Sequence, residues 1–362
     1  MSKKIVRILL CLILLPVVLV LLAVLALYCP PIQKWAVDKV SAYASEETGM
    51  KVGVDEVRLT FPLDLKLKGV TAVRPDSLDA NYKDTIAEIH TAYVDVQLRP
   101  LFDGNVMVDA LDFDYAKINT VDLIKSVQVM GRFKSLRIAS HGVELKNSIV
   151  RLDKVALSGA DVTVCLADSV PEDTTETKVD WLILLEEAKI SKSHCVVKFN
   201  GNELAADIDD FKAKKGVFNL GDGFYGLANA ELRNSAFCYP PFVDLEKISV
   251  LLDSVSYSKN GLLANIVNAS LRENKYGVNV RSLHANVATD SVALHVKNCD
   301  LQTAYSKITA DADMDFKSLN ATADNGRFRL ALKADVGKGD VLLFRNYLPD
   351  GILSKIPSTP LQ

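Results

Sequence analysis

No two cysteines in this sequence are spaced as a CxxC pair, and Cys165, Cys195, Cys238 and Cys299 stand far apart. That excludes the usual pattern of a thiolate metal cluster or a thioredoxin-like site. Scattered single cysteines in strand-like sequence read as small buried hydrophobes more readily than as disulfide halves, although an exported compartment would permit disulfides. Histidine is equally sparse. The five residues His90, His141, His194, His284 and His295 show no H-E-x-x-H or H-x-x-x-H spacing, so a zinc site lacks ligands. The chain also lacks an excess of positive charge, with a net charge of -3 and a pI of about 6.0. It carries no basic footprint for a nucleic acid. No G-x-S-x-G, S-x-x-K or P-loop motif is present. Gly221–Gly226 matches G-x-G-x-x-G literally, but Leu227–Arg233 offers no crossover helix, so the match reads as a glycine-rich turn. The alternate carboxylates Asp112/Asp114 and Asp311/Asp313/Asp315 share a strand face, which suits a solvated side better than a calcium site. No enzyme, metal or cofactor is expected.

What the sequence does contain begins with Ile8–Tyr28, a run without a charged residue. About 20 apolar residues at ~1.5 Å rise cross the hydrocarbon core. Lys3, Lys4 and Arg7 precede the run, and basic flanks stay cytoplasmic, so the N-terminus should be cytoplasmic and everything after Tyr28 on the opposite, outer side of the membrane. A cleaved signal peptide has a shorter apolar region and a small-residue cleavage site, which Tyr28-Cys29-Pro30-Pro31 does not supply. A lipoprotein signal would need a small residue where Tyr28 precedes Cys29. A buried core helix of such length and uniformity is the poorest fit. Pro16 kinks the span without excluding it. Residues 1–29 are read as a transmembrane signal anchor.

Residues 30–49 follow as an amphipathic juxtamembrane helix, opened by Pro31 and closed by Gly49. Ile32, Trp35, Ala36, Val40 and Tyr43 fall near one face. That face either lies on lipid headgroups with Trp35 as interfacial anchor, or packs on the domain below and closes one end of its core. The packing role is the plainer of the two.

From Lys51 the period of the apolar residues changes from 3.6 to 2. Leu63, Leu65 and Leu67 alternate with Asp64, Lys66 and Lys68, and Val94, Val96 and Leu98 alternate with Asp95, Gln97 and Arg99. Near the end, Ile308, Ala310, Ala312, Met314 and Phe316 interleave with Thr309, Asp311, Asp313, Asp315 and Lys317. Phe328, Leu330, Leu332, Ala334 and Val336 form the last such run. These are half-buried strands with one apolar and one wet face. Short turn signals separate them: Gly104-Asn105, Asn260-Gly261, Lys275-Tyr276-Gly277 and Asn325-Gly326. They make the sheet mainly antiparallel. The acidic stretch Asp168–Asp180 is expected as a surface loop or linker. The paired prolines Pro240-Pro241 mark a second break, since proline cannot sit in a central ladder. One repetitive all-β body is expected over 50–338. A short helical connector should follow over 339–362, starting at Asp340 and stopped by Pro349.

Several of these segments share an order with a known family. The anchor leads to Pro31–Tyr43 and Thr48-Gly49, then to Lys51–Leu59, Leu65–Thr71, Asp84–Ile89 and Val94–Gly104, and finally to Val106–Ile118. This order resembles the N-terminal region of the AsmA-like superfamily, and especially the TamB family of inner-membrane subunits of the translocation and assembly module, in its Bacteroidetes-type form. The specific part covers roughly residues 1–120; beyond it the resemblance is one of texture. It implies a long curled β-sheet with an apolar concave face, a role in moving phospholipid between membranes or assembling outer-membrane proteins, and a TamA-type outer-membrane barrel as partner. The chain stops at Gln362, whereas that family continues much further, so a truncated product or a short relative is expected. The region that would meet the barrel is then absent.

Physics alone leads to a similar expectation. An amphipathic sheet must hide its apolar face against another layer or by rolling up, and this sequence supplies few helices to cover it. A rolled sheet would hold acyl chains, each buried CH₂ contributing about 0.8 kcal/mol. The groove candidates are Leu63, Leu65, Leu67, Met314, Phe316, Leu330 and Leu332, with Lys3, Lys4, Arg7 and Trp35 at the membrane interface. The phospholipid bilayer and its acyl chains are the expected partners. The alternatives are a tethered scaffold that pairs its strand edges with outer-membrane clients, and an ordinary β-sandwich with a fully buried core.

Overall fold

Glycine and proline bracket the first element of the structure, a computed structural model that describes residues 30–60, 64–74, 85–96, 108–120, 127–144, 148–166, 181–315 and 326–343. The run Ile8–Tyr28, the residues Lys3, Lys4, Arg7, Leu63 and Phe316, the acidic stretch Asp168–Asp180 and the Gly104-Asn105 turn lie outside the described residues. So does the chain from Phe344 onward. Among the described residues no helix is long and apolar enough to cross a membrane. Among the described residues the elements other than two helices are all strands, and their pairings are mostly antiparallel. The chain divides into two compact units, Met1–Val121 and Asp122–Gln362, so the stretch 50–338 expected as one body falls in both.

The first unit contains α1 (Pro30–Thr48), β1 (Lys51–Gly53), β2 (Glu56–Thr60), β3 (Asp64–Val73), β4 (Thr85–Val96) and β5 (Val108–Asn119). Pro30 and Pro31 start α1, where a missing N–H costs nothing. Gly49 ends it with a φ of 65°, the left-handed conformation that satisfies the last carbonyls. Ser45 Oγ accepts the Val52 N–H at 2.9 Å and ties the helix to β1.

β1 and β2 lie end to end along one edge of β3, pairing with Thr71–Val73 and Asp64–Lys68 respectively. The step between them is held by the Asp55 N–H donating to the Lys68 carbonyl at 3.0 Å. Opposite that step Gly69 has a φ of 57°, and a Cβ there would stand 1.9 Å from the Asp55 carboxylate. Only glycine fits. β3, β4 and β5 continue as an antiparallel meander.

Val54, Val57, Leu67 and Ala92 form a closed core in this unit, with Val37, Leu65, Val70, Ile89 and Phe113 packed against it. Val37 comes from α1, so the helix covers the sheet. The expected packing role of α1 is what the structure shows. Among the described side chains of α1 the partly buried ones are Gln33, Val37, Ser41, Ala44 and Ser45, spaced i, i+4, i+8, i+11 and i+12. Trp35 is 61% exposed. Ile32, Ala36, Val40 and Tyr43, the rest of the expected stripe, have side chains outside the described residues.

The second unit contains β6 (Val127–Glu144), β7 (Ile149–Ser158), β8 (Asp161–Leu166), β9 (Leu182–Phe199), β10 (Asn202–Asn219) and β11 (Phe224–Tyr239). It continues through β12 (Val243–Ser258), β13 (Gly261–Glu273), β14 (Asn279–Thr289), β15 (Ala293–Thr303), β16 (Lys307–Asp315), β17 (Arg327–Asp335) and α2 (Lys338–Leu343). β7 and β8 are again two halves of one strand line. β7 pairs with the C-terminal half of β6 and β8 with its N-terminal half, both antiparallel. On their other side both halves pair with β9, and these pairings are parallel. Parallel neighbours need a crossover instead of a hairpin, so the acidic stretch separates strands of the same direction.

From β9 to β17 every consecutive pair is antiparallel. Asn200-Gly201 closes β9–β10 with φ values of 47° and 72°, the left-handed pair that hairpin turns favour. The G-x-G-x-x-G segment is a turn, as expected: Asn219 pairs with Phe224 across it, and Asn219 Oδ1 accepts the Asp222 N–H at 3.1 Å. Pro240-Pro241 form the β11–β12 turn, with the Phe242 N–H donating to the Tyr239 carbonyl at 2.8 Å. Lys275-Tyr276-Gly277 turns β13 into β14, held by the Glu273 carboxylate accepting the Lys275 and Tyr276 N–H groups. α2 starts slightly before the expected Asp340. The buried Asp340 carboxylate accepts the hydroxyls of Thr303 and Ser306, which fastens α2 to the β15–β16 turn.

Candidate functional site

Residues directly opposite in a ladder share a face, so the registers alone show where the apolar side chains of the second unit gather. Ile183 on β9 pairs with Phe218 on β10, Phe218 with Tyr225 on β11, and Tyr225 with Tyr257 on β12. Tyr257 then meets Leu262, Leu262 meets Thr289, and Thr289 meets Leu294. Leu294 faces Met314, and Met314 faces Phe328. One row thus runs from β9 to β17, aliphatic or aromatic at every strand except for Thr289 on β14. A second row lies beside it, from Val255 through Ala264, Val287, Val296 and Ala312 to Leu330. At Gly216 the side chains of Phe218, Leu185 and Leu227 converge so closely that a Cβ would meet them at 2.8, 3.1 and 3.2 Å.

This face has no second layer among the described residues. The buried apolar residues of the unit are mostly alanines, including Ala213, Ala230, Ala269 and Ala285. Large residues on the same face stay open: Tyr257 is 56%, Phe328 61%, Leu330 47% and Leu332 55% exposed. Sequence reasoning nominated Met314, Leu330 and Leu332, and the structure brings all three onto this face, Met314 half-buried between Leu294 and Phe328. It does not bring Leu65 and Leu67 there. They belong to the first unit, where Leu67 is 9% exposed in the closed core and Leu65 packs against it. The tyrosines and Phe218 were missed, although the alternation of Tyr225 with Leu227, and of Val255 with Tyr257, was available as a signal.

The opposite face is polar and laced by cross-strand pairs. His194 meets Asp207 at 2.6 Å, His141 meets Asp153 at 2.6 Å, and Asp313 is shared between His295 at 2.7 Å and Lys297 at 2.8 Å. Hydrogen bonds from Lys297 and then His295 hold the Asp313 carboxyl below the usual carboxylate range. Lys192 and then Asn234 do the same for Asp209. Cys299, on the apolar side of β15, has its thiol pushed up by burial, then by Asp300 and Asp311. Cys165, Cys195, Cys238 and Cys299 are all free thiols.

No protein-family model matches this chain, and no curated protein matches it in sequence. The site must therefore be read from its own geometry.

Two creases cross the sheet and keep the faces sorted. Along the first, Gly159, Lys192, Asn234 and Lys247 take left-handed φ values between 46° and 61°. There each strand places two successive residues on the polar side, so Ile190 and Ser193, three apart, both face the apolar side opposite Phe211 and Ile208. Serine hydroxyls satisfy the backbone groups so exposed. Ser193 Oγ accepts the Ala160 N–H at 3.2 Å, Ser235 Oγ the Asp209 N–H at 3.2 Å, and Ser249 Oγ the Asn234 N–H at 3.2 Å. Lys215 and Asn229 mark the second crease. The result is one mainly apolar face across β9–β17. Among the described residues no three His, Cys, Asp or Glu side chains converge to hold a metal.

Proposed function

We propose that this chain is a membrane-anchored protein of the bacterial envelope whose sheet curls into a groove and carries phospholipid acyl chains toward the outer membrane. The mainly apolar row from Ile183 to Phe328, left without a covering layer among the described residues, is the observation that carries this reading. Apolar side chains at this density gain about 25 cal/mol per Å² when hydrocarbon replaces water against them. The exposed Trp35 points away from the core-facing side of α1, where it is free to sit among headgroups. The charge-free Ile8–Tyr28 run behind Lys3, Lys4 and Arg7 would hold the chain in the inner membrane, with its N-terminus cytoplasmic and its body in the periplasm. The resemblance of residues 1–120 to the AsmA-like superfamily points the same way. No catalytic step is proposed.

Photo-crosslinking of the full chain in its native membrane tests the reading. A photoreactive side chain at Tyr257 or Leu330 should give phospholipid adducts, and one at Lys333 on the polar face should not. Equal labelling of both faces, or none, would overturn it. Client proteins captured with no lipid would transfer the case to the scaffold reading with a TamA-type partner.

A further inference from the structure

The sheet ends in a strand that is exposed along its whole length on both faces. All nine residues of β17 are exposed, and among the described residues β16 is the one strand in register with it. Edges of this kind are normally shortened, bulged, interrupted by proline or guarded by charge. β17 has no proline, and its register with β16 runs from Lys307↔Asp335 to Asp315↔Arg327 without a shift, unlike those of the pairs from β10–β11 to β15–β16. Its only guard is charge, and that charge has one sign. The polar face carries Arg327, Arg329 and Lys333 against the single Asp335.

The sign of the polar face alternates from strand to strand. β15 presents His295 and Lys297, β16 presents Asp311, Asp313 and Asp315, and β17 presents its three cations. In register, Asp313 lies opposite Arg329 and Asp315 opposite Arg327. Asp313 is already engaged by Lys297 and His295. Arg327, Arg329 and Lys333 make no ion pair within the described residues. The alternation stops on a basic strand with its charges unspent.

We propose that the outer edge of β17 docks one antiparallel strand of another polypeptide, with an acidic polar face and an apolar face that covers Phe328, Leu330 and Leu332. The edge supplies backbone donors and acceptors, Arg327, Arg329 and Lys333 select acidic side chains, and the three exposed apolar residues set the register. The proposal does not depend on lipid carriage, since strand pairing through the β17 backbone and its cations would hold whether or not lipid lies on the neighbouring apolar face.

The test uses the full chain in detergent micelles and two labelled peptides, followed by fluorescence anisotropy. One peptide has the β16 sequence Lys307–Asp315; the other has lysine in place of each aspartate. The acidic peptide should bind about tenfold more tightly, the size expected of several cross-strand charge pairs together. R329E with K333E should invert the preference, an outcome that misfolding cannot imitate. The milder R329Q with K333Q should abolish it, with hydrogen exchange over β16 confirming that the pair persists. On peptide binding, the β17 amides should become protected. Failure of the acidic peptide to bind, or a preference unchanged by charge inversion, would overturn the proposal. So would self-association of the chain that is lost in the β17 variants, because the occupant would then be a second copy.

Discussion

The two units use the same strand chemistry and reach opposite results. In the first, α1 lies over a short meander, and Val54, Val57, Leu67 and Ala92 close into a core. In the second, the apolar face is broader, yet alanine dominates what is buried and the aromatic residues stay open. The difference is the covering element. A sheet with a helix over it becomes a core, and the same alternation without one remains a surface. Identical side chains thus end differently: Leu67 is buried and holds the fold, and Leu330 is left open.

Substitutions that separate these roles should rank accordingly. Leu67→Ala should have the largest effect, a loss of about 3 kcal/mol of stability from the lost transfer energy and the cavity left behind. Denaturant unfolding, with hydrogen exchange on β3 and β4, measures it; a loss below about 1 kcal/mol would mean that the first unit has no tight core. Ser235→Ala comes next. Its buried hydroxyl accepts the Asp209 N–H and donates to the Arg233 carbonyl, and leaving that N–H unpaired should cost about 1–2 kcal/mol, visible as faster exchange at Asp209.

Acid should act more weakly still. The folded Asp313 carboxyl titrates below its unfolded value, so its contribution is complete above about pH 4 and is lost as the pH falls through the folded value. The melting temperature of the wild type should lie above that of Asp313→Asn at pH 5, and the gap between them should narrow towards pH 3. A gap that stays constant would show that the Lys297 and His295 bonds carry no linkage. Smallest of all, Leu330→Asp should change stability by no more than about 0.5 kcal/mol while removing lipid adducts at that position. A large loss of stability there would turn the open face into a core and erase the contrast between the units.

Much of this was legible in the sequence, for identifiable reasons. Period-2 alternation marked β3, β16 and β17, and Asn-Gly, Lys-Tyr-Gly and glycine-rich segments marked hairpins because their left-handed residues are sterically selective. What stayed hidden depends on partners. Lysine has no preference for left-handed φ, so nothing in the sequence around Lys192, Lys215 or Lys247 announces that the alternation shifts there. The parallel pairing of β7 and β8 with β9 is likewise a choice between long-range neighbours. Leu65 and Leu330 sit in equally clean patterns; only the helix above one of them tells them apart.

The ladder from β9 onward also has a temporal side. Each new strand there docks on the one made just before it, so a growing chain can add hairpins in order of synthesis, with short loops to close and little entropy to lose at each step. β7 and β8 cannot follow that order. Their second edge waits for β9, which arrives only after the acidic stretch has been made. This junction should set the pace of assembly for the second unit, and everything after it should follow like teeth of a zip.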